Sequence, residues 1–345
     1  GLGAFPASDK HFLGMLGMHG TYEANMAMHD CDVMIAVGSR FDDRITGRLD
    51  AFAPDAKIIH IDIDPSSINK NVAVDIPIIG NVSHVLGQLA VTWDKKKNRK
   101  GNRKALNAWW KQIEDWRSRD CLSYKKNDEI IKPQYALERL QALTEKRDTF
   151  ITTEVGQHQM WAAQFLKFDK PNHWMTSGGL GTMGYGFPAA LGVQTGHPGK
   201  LVIDIAGEAS FMMNMQEIST AVQHHLPVKV FILNNEYLGM VRQWQELLHG
   251  GRYSESYAAA LPDFVKLAES FGAVGLRANK PSEIDDVITE MVKVDNVVIA
   301  DIVVDPTENV YPMIPSGSPH NEMLLGPAAK GEGSGKVTEK GKVLV

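Results

Sequence analysis

A carboxylate and an amide stand after two apolar runs in the C-terminal half of the sequence. Glu208 follows the run 201–206 and a glycine, and Asn235 follows the run 228–233 and one further asparagine. One strand-to-strand crossover with its helix consumes about this spacing, so we expect both residues at the carboxyl ends of neighbouring parallel strands. Carboxylate, amide and backbone carbonyl oxygens suit Mg²⁺, which commonly keeps phosphate oxygens among its ligands. The pattern therefore predicts a magnesium and phosphate site.

The turn before Glu208 adds a second feature that binds anions. A helix beginning after Gly207 would present unpaired backbone N–H groups to the same phosphate. Each feature alone has a plainer interpretation, in which Glu208 caps a helix and Asn234-Asn235 form a turn. Their combination favours the ligand site.

Alternating strand and helix patterns predict the sheet that positions these residues. Short apolar runs ending in polar or glycine residues are typical of buried parallel strands. The sequence therefore predicts an α/β fold with two doubly wound, mostly parallel sheets covered on both faces. The predicted strands are 33–37, 58–63, 149–153, 201–206, 228–233 and 297–304, and the predicted helices are 105–119, 133–143, 215–225 and 262–271.

The chain of 345 residues is long enough for two domains at ~150 residues each. A polar stretch, 94–104, divides the apolar pattern. We predict a first domain at 1–93, a linker and helix at 94–132, a second domain at 133–325, and a tail at 326–345 for which disorder is favoured. The sequence opens without Met on an apolar stretch typical of a strand exit, so we expect the first domain to be truncated.

Composition excludes several classes of protein. The formal net charge of -5 gives no basic field for nucleic acid. Two distant cysteines, Cys31 and Cys121, argue for a reducing compartment rather than a disulfide framework. No apolar run approaches the ~20 residues that span a bilayer, so we expect no membrane association. These features predict bacterial cytoplasm, or a plastid or mitochondrial matrix in a eukaryote.

Dense motif matches make the sequence resemble the catalytic (large) subunit of acetohydroxyacid synthase, also called acetolactate synthase. Gly207-Glu208-Ala209 with Asn234-Asn235 is similar to the thiamine diphosphate motif, and stretches 17–20, 40–44, 178–186, 209–214 and 238–244 match the family closely. The resemblance covers residues 1 to about 326 and implies thiamine diphosphate, Mg²⁺ and FAD as cofactors. One residue departs from the pattern. The family usually has Asp where this chain has Glu208, and the added methylene moves the carboxylate by about one bond.

The resemblance also assigns roles to single residues. Glu208, Asn235 and the backbone oxygen of Tyr237 would hold the metal. Gly181 would offer its carbonyl to the aminopyrimidine, and Met183 would support the two rings, although a Met in such a segment is usually core filler. Met183, Met240 and Trp244 are expected at the reacting centre, where Trp244 would favour the larger acceptor. The implied thiamine diphosphate contacts are Val155, Gly156, Gln157, His158, Gly181, Met183, Gly207, Glu208, Ala209, Ser210, Asn235, Tyr237, Leu238, Gly239, Met240 and Val241.

For the first domain the resemblance implies a structural rather than a redox-active flavin. An acid at the end of a strand, such as Asp62, can accept hydrogen bonds from a ribose, although this signal alone is weak. Residues 40–44 have an alternative interpretation as an exposed ion-pair turn, which sequence alone favours. The implied FAD contacts are His19, Gly20, Gly38, Arg40, Asp42, Asp43, Arg44, Asp62, Ile63, Asp64 and Asn81.

The implied reaction condenses pyruvate with pyruvate or 2-ketobutyrate, with loss of CO₂, in branched-chain amino acid biosynthesis. In this family a catalytic Glu comes from an N-terminal domain that we expect upstream of Gly1, so we expect no turnover from this chain alone. A homodimer or tetramer and a separate small regulatory subunit are also implied.

Other functions remain open from sequence. The nearest is a related thiamine diphosphate enzyme, namely pyruvate oxidase, a 2-keto acid decarboxylase or glyoxylate carboligase. A non-catalytic cofactor-binding protein is a second alternative. A metalloenzyme built on His224-His225 is the weakest, because the histidines lack a convincing ligand spacing.

Overall fold

The structure is a computed structural model that describes residues 1–96 and 101–326. Its described residues form two compact units. One contains Leu13–Leu122 and the segment that begins at Tyr311, and the other contains Gly1–Phe12 and Ser123–Val310. This division differs from the boundaries predicted at 93/94 and 132/133, which stay predictions. The predicted tail lies, after Gly326, outside the described residues.

The smaller unit is built on a three-stranded parallel sheet. Its strands β1 (Val33–Val37), β2 (Lys57–Asp62) and β3 (Ile76–Ile79) pair in that order. The helices are α1 (Tyr22–Asp30), α2 (Asp43–Thr46), α3 (Val82–Lys95) and α4 (Arg103–Arg117). The predicted strand 33–37 is confirmed, strand 58–63 is displaced by one residue, and helix 105–119 begins two residues early. The predicted linker 94–104 falls on the end of α3, the start of α4 and residues 97–100, which are outside the description.

The larger unit is a six-stranded sheet in which every pairing is parallel. It begins with α5 (Pro133–Thr144), β4 (Thr149–Thr153), α6 (Gln157–Phe165), β5 (Trp174–Thr176), α7 (Gly186–Gly196), β6 (Leu201–Ala206) and α8 (Glu208–Phe211). It continues with α9 (Ile218–Gln223), β7 (Lys229–Asn234), α10 (Gly239–Leu248), α11 (Phe264–Ser270), β8 (Val274–Ala278), α12 (Ile284–Lys293) and β9 (Val298–Val303). The strand order is β5-β4-β6-β7-β9-β8.

Apolar side chains cover both faces of this sheet, as expected for a doubly wound fold. Alternate residues along β7 enter two separate core clusters, with Phe231 and Leu233 in one and Val230 and Ile232 in the other. Strands 149–153 and 201–206 are confirmed without change, while 228–233 and 297–304 are displaced by one residue at one or both ends. Helix 133–143 is confirmed, and the pattern at 215–225 forms a 3₁₀ turn followed by α9. Among the described residues, no helix is long and apolar enough to cross a membrane.

Candidate cofactor and metal site

The central strands β6 and β7 deliver the two predicted ligands to one cavity. They are parallel neighbours, with Ala206 opposite Ile232. Glu208 follows β6 after a single glycine, and Asn235 directly follows β7. Both line a cavity of about 270 Å³ at the carboxyl ends of the strands. The position predicted from their spacing is therefore confirmed.

Glu208 is buried, and no residue in the described part of the chain forms an ion pair with it. Its side chain is 1% exposed, and its Oε1 has no hydrogen-bond partner among the residues that the structure describes. Burial raises the pKa of Glu208 to about 7, although the backbone N–H groups of Asn235 and Tyr237 lower it. Such a carboxylate needs a cation or a proton beside it. The three residues predicted to hold Mg²⁺ are thus neighbours, and their oxygens are of the chemistry that Mg²⁺ takes.

A chain of buried amides determines which way the Asn235 side chain points. Its Nδ2 donates to Gln157 Oε1 at 3.1 Å, and Gln157 Nε2 donates to Gln243 Oε1 at 2.9 Å and to the Glu308 carbonyl at 3.2 Å. Gln243 Oε1 also accepts the Val310 N–H at 2.8 Å. Backbone groups have fixed donor and acceptor roles, so the amide orientations follow from them. The Asn235 oxygen is left on the side away from Gln157.

That oxygen meets the turn that follows β7. Asn235 Oδ1 accepts the Tyr237 backbone N–H at 3.1 Å. Asn234 stabilises the same turn, because its Oδ1 accepts the Glu236 N–H at 3.2 Å and its Nδ2 donates to Asp301 at 2.9 Å. Asn235 lines the cavity and its oxygen has a second lone pair for a ligand, whereas Asn234 is not in the lining and has a structural role.

Three helices begin at the edge of the cavity. The N-cap residues of α6, α8 and α10 are Gly156, Gly207 and Leu238, and none of these caps makes a side-chain hydrogen bond to its helix. All three residues line the cavity. Unpaired N–H groups in the first turns of helices bind phosphate oxygens, so this end of the cavity fits a diphosphate.

Close packing explains the glycine before Glu208. A Cβ at Gly207 would lie 2.6 Å from His158 Nδ1. The imidazole is buried, and burial lowers the pKa of His158 to about 3, so the ring is neutral at pH 7. Residues 155–158 form a strand-to-helix turn and also line the cavity, and their contact with a diphosphate stays a prediction.

The loop between β5 and α7 brings Gly181 and Met183 to the cavity wall. Leu180 at its tip is 94% exposed, whereas Gly184 is buried. Met183 is half-buried and is not core filler at this position. The loop therefore becomes buried at Gly184, directly after the segment whose Gly181 and Met183 line the cavity.

Every residue predicted as a thiamine diphosphate contact lines this one cavity. Two lining residues, Trp161 and Leu233, were not predicted. Trp161 follows Gln157 by one helical turn, a position that the helical period of α6 could have suggested. Of the residues expected at the reacting centre, Met183 and Met240 line the cavity, and Trp244 lies one turn after Met240 on α10 outside the lining.

Several residues predicted for FAD lie at strand ends in the smaller unit. Gly38 follows β1 and donates its N–H to the Ile61 carbonyl at 2.8 Å. Asp62 ends β2, and the exposed Ile63 follows it. Asp64 and Asn81 are the N-cap residues of a 3₁₀ turn and of α3. The flavin role of these residues stays a prediction.

The segment 40–44 forms the ion-pair turn that sequence alone favoured. Arg40 Nη2 lies 2.9 Å from Asp42 Oδ2, and Arg44 Nη1 lies 3.4 Å from Asp43 Oδ2. Asp43 and Arg44 line a cavity of about 50 Å³, which alone is too small for FAD. His19, next to Gly20, is buried and bonds its Nδ1 to a backbone carbonyl at 3.0 Å.

Comparisons with known proteins agree with the motif matches. The family "Thiamine pyrophosphate enzyme, C-terminal TPP binding domain" matches residues 154–302, and "Thiamine pyrophosphate enzyme, central domain" matches residues 1–89. The acetolactate synthase large subunit of Haemophilus influenzae is 49% identical over 326 residues, covering 94% of this chain and 56% of that protein.

Two further relatives carry related names. The acetolactate synthase isozyme 3 large subunit of Escherichia coli is 51% identical over 328 residues, 94% of this chain and 57% of that protein. The acetolactate synthase large subunit of Porphyra purpurea is 44% identical over 325 residues, 94% of this chain and 54% of that protein. The chain thus spans a little over half the length of these curated relatives.

Proposed function

Because this chain belongs to the thiamine pyrophosphate enzymes, we propose that its cavity at β6 and β7 holds thiamine diphosphate and Mg²⁺ in an acetolactate synthase. One observation carries this proposal. The residues that resemble the family's cofactor contacts come from four separate segments of sequence, and all of them line a single cavity. The relatives named as acetolactate synthase large subunits support this enzyme over pyruvate oxidase, a decarboxylase or glyoxylate carboligase.

The metal ligands in this proposal are Glu208, Asn235 and the Tyr237 carbonyl. Glu208 supplies the negative charge, and its buried, unpartnered Oε1 supports this role. The amide chain through Gln157 presents the Asn235 oxygen rather than its nitrogen. Mg²⁺ at these ligands would neutralise the diphosphate, whose oxygens would complete the coordination shell.

The first turns of α6, α8 and α10 would donate backbone N–H groups to the diphosphate. Neutral His158 adds no charge and can donate or accept one hydrogen bond. On the ring side, Gly181 offers a backbone carbonyl and Met183 an apolar side chain. When bound, thiamine diphosphate supplies the electron sink for decarboxylation of a 2-keto acid and the carbon that joins the remaining fragment to a second 2-keto acid.

We propose pyruvate as the donor and pyruvate or 2-ketobutyrate as the acceptor. Trp244 follows Met240 by one turn on the helix that begins at the cavity. We propose that its indole packs against the additional methyl group of 2-ketobutyrate, and one methylene contributes ~1 to 3 kcal/mol to such discrimination.

FAD, a homodimer or tetramer, and a separate small regulatory subunit belong to the same proposal. The relatives are named large subunits, which supports a smaller partner. A bacterial cytoplasmic location is likewise proposed.

Product analysis tests the proposed reaction. The protein encoded by the complete gene is incubated with pyruvate, thiamine diphosphate, Mg²⁺ and FAD, with and without 2-ketobutyrate. We expect 2-acetolactate from pyruvate alone and 2-aceto-2-hydroxybutyrate when 2-ketobutyrate is added. Acetaldehyde, acetyl phosphate or, from glyoxylate, tartronate semialdehyde as the main product would contradict the proposal and indicate a related enzyme.

A further inference from the structure

A second buried carboxylate, Glu154, has no role in the site described above. It directly follows β4 and precedes the cavity-lining Val155, and it is 0% exposed. Its Oε2 accepts the Gly184 N–H at 2.6 Å and the Ser210 O–H at 2.9 Å, and its Oε1 accepts the Phe187 N–H at 3.0 Å. Each of these three groups donates a hydrogen bond to the carboxylate.

Glu154 and these donors join three separate parts of the cavity wall. The first part is the wall segment that begins at Val155, directly after Glu154. The second is the loop between β5 and α7, in which Gly184 directly follows Met183, and the third is the wall segment 207–210, which ends at Ser210. Ser210 Oγ also accepts N–H groups of Val155 at 3.4 Å and Gly184 at 3.3 Å. One buried side chain therefore connects the loop on the ring side to both segments on the diphosphate side.

The carboxyl group of Asp204 lies behind this connection and indicates where the negative charge resides. Asp204 is fully buried, and its Oδ1 accepts one hydrogen bond, from Thr152 Oγ1 at 3.0 Å. Its Oδ2 has no partner in the part of the chain that the structure describes. Burial and the charge of Glu154 raise the pKa of Asp204 well above its usual value. Burial raises the pKa of Glu154 as well, but at least three donors face its oxygens and one faces those of Asp204, so Glu154 carries the charge and Asp204 the proton.

We propose that Glu154 is a positioning residue that holds the loop of Gly181 and Met183 against the cavity, and thereby sets the binding of the thiamine rings. The inference rests on the proposed function, because it concerns the ring side of that cofactor site. Gly184 has a φ of 85° and a second anchor, since its carbonyl accepts Asn214 Nδ2 at 2.5 Å. Loss of the Glu154 acceptor would leave the Gly184 N–H with only its longer contact to Ser210 Oγ at 3.3 Å, while the helix termini would still bind the diphosphate.

Calorimetry with two ligands separates ring binding from diphosphate binding. Thiamine diphosphate and inorganic diphosphate are titrated, each with Mg²⁺, into the complete protein, its Glu154→Gln variant and its Asp204→Asn control. Gln keeps one acceptor oxygen and directs its N–H₂ group at the N–H of either Gly184 or Phe187, both of which hold the end of this loop. We therefore expect thiamine diphosphate to bind at least ~10-fold more weakly, equivalent to ~1.4 kcal/mol. Inorganic diphosphate should change by less than ~3-fold. Asp204→Asn should preserve both affinities within ~2-fold, because Asn matches the neutral acid in size.

Three outcomes would overturn the proposal: unchanged thiamine diphosphate affinity in Glu154→Gln, a parallel loss for both ligands, or an equal loss in Asp204→Asn. If Glu154→Gln does not fold, Glu154→Asp keeps the charge on a shorter side chain and should show the same selective loss to a smaller degree. Failure of the wild-type protein to bind thiamine diphosphate would instead contradict the proposed function itself.

Discussion

Replacing Gln157 by methionine should weaken Mg²⁺-dependent thiamine diphosphate binding, whereas the same replacement of Gln243 should not. Both glutamines are buried members of one amide chain. Only Gln157 accepts the hydrogen bond from Asn235 Nδ2, at 3.1 Å. Without that acceptor the Asn235 amide can rotate and place its nitrogen where the metal requires an oxygen. In Gln243→Met, by contrast, Gln157 Nε2 still donates to the Glu308 carbonyl at 3.2 Å and keeps its orientation.

The expected size of the effect follows from the buried amide. An unsatisfied buried donor costs ~1 to 3 kcal/mol. Rotation of the Asn235 amide would not avoid this cost, because it would direct Nδ2 at the Tyr237 N–H, which is also a donor. The affinity for thiamine diphosphate should therefore fall by ~5- to 150-fold in Gln157→Met, since 1.4 kcal/mol corresponds to tenfold. In Gln243→Met it should change by less than ~3-fold.

Two assays on the same variants separate orientation from stability. Urea unfolding without ligand should show both variants less stable than wild type by ~1 to 3 kcal/mol, because each leaves buried polar groups unpaired. Calorimetric titration with thiamine diphosphate and Mg²⁺ should then distinguish them. Equal affinities in the two variants, or wild-type affinity in Gln157→Met, would refute the reasoning from amide orientation.

Three further predictions concern specificity, pH dependence and stability. Trp244→Leu should lower the preference for 2-ketobutyrate over pyruvate by ~5-fold or more in a competition assay, and unchanged product ratios would exclude the proposed packing. Burial lowers the pKa of Lys229 from its usual 10.5 to about 8, so the unfolded state binds more protons between these values. The unfolding free energy of wild type relative to Lys229→Met should therefore rise from about pH 8 to about pH 10.5, by at most ~3 kcal/mol, and a flat difference would contradict this. Arg277→Met removes the cation 2.9 Å from buried Asp301 and should lower stability by up to ~3 kcal/mol in urea unfolding, whereas loss of the exposed Lys266 should cost under ~0.5 kcal/mol.

Sequence predicted best those strands and helices whose own composition distinguishes them from their surroundings. Strands β6 and β7 are mostly apolar, apart from Asp204, Lys229 and Asn234, because both faces of these strands are buried, so their composition indicates them. Strand β5 has three residues, and β8 contains Gly275 and Arg277, so neither shows a strong apolar run. The helix α10 begins with glycine and buries the polar residues Arg242 and Gln243, so its sequence pattern did not predict a helix there.

The candidate site likewise contains some contacts that sequence predicted and others that it did not. The spacing of Glu208 and Asn235 reflects one crossover between neighbouring strands, so their meeting was predictable. Sequence did not predict the contact of Gln157 with Gln243, because it joins two helices that are far apart in the chain. Glu154 was missed for the same reason. Its partners Gly184 and Ser210 become neighbours only when the loop after β5 folds over the end of β6.

The central claim, that Glu208 holds Mg²⁺ against the diphosphate of thiamine diphosphate, is tested most directly by calorimetry on wild type and Glu208→Gln. Each protein is titrated with thiamine diphosphate in Mg²⁺ and again in EDTA. Gln keeps the size of the side chain and removes the charge. We predict tight binding for wild type in Mg²⁺ only, and binding by Glu208→Gln that is weak and independent of Mg²⁺. Full Mg²⁺-dependent binding by Glu208→Gln would contradict the account.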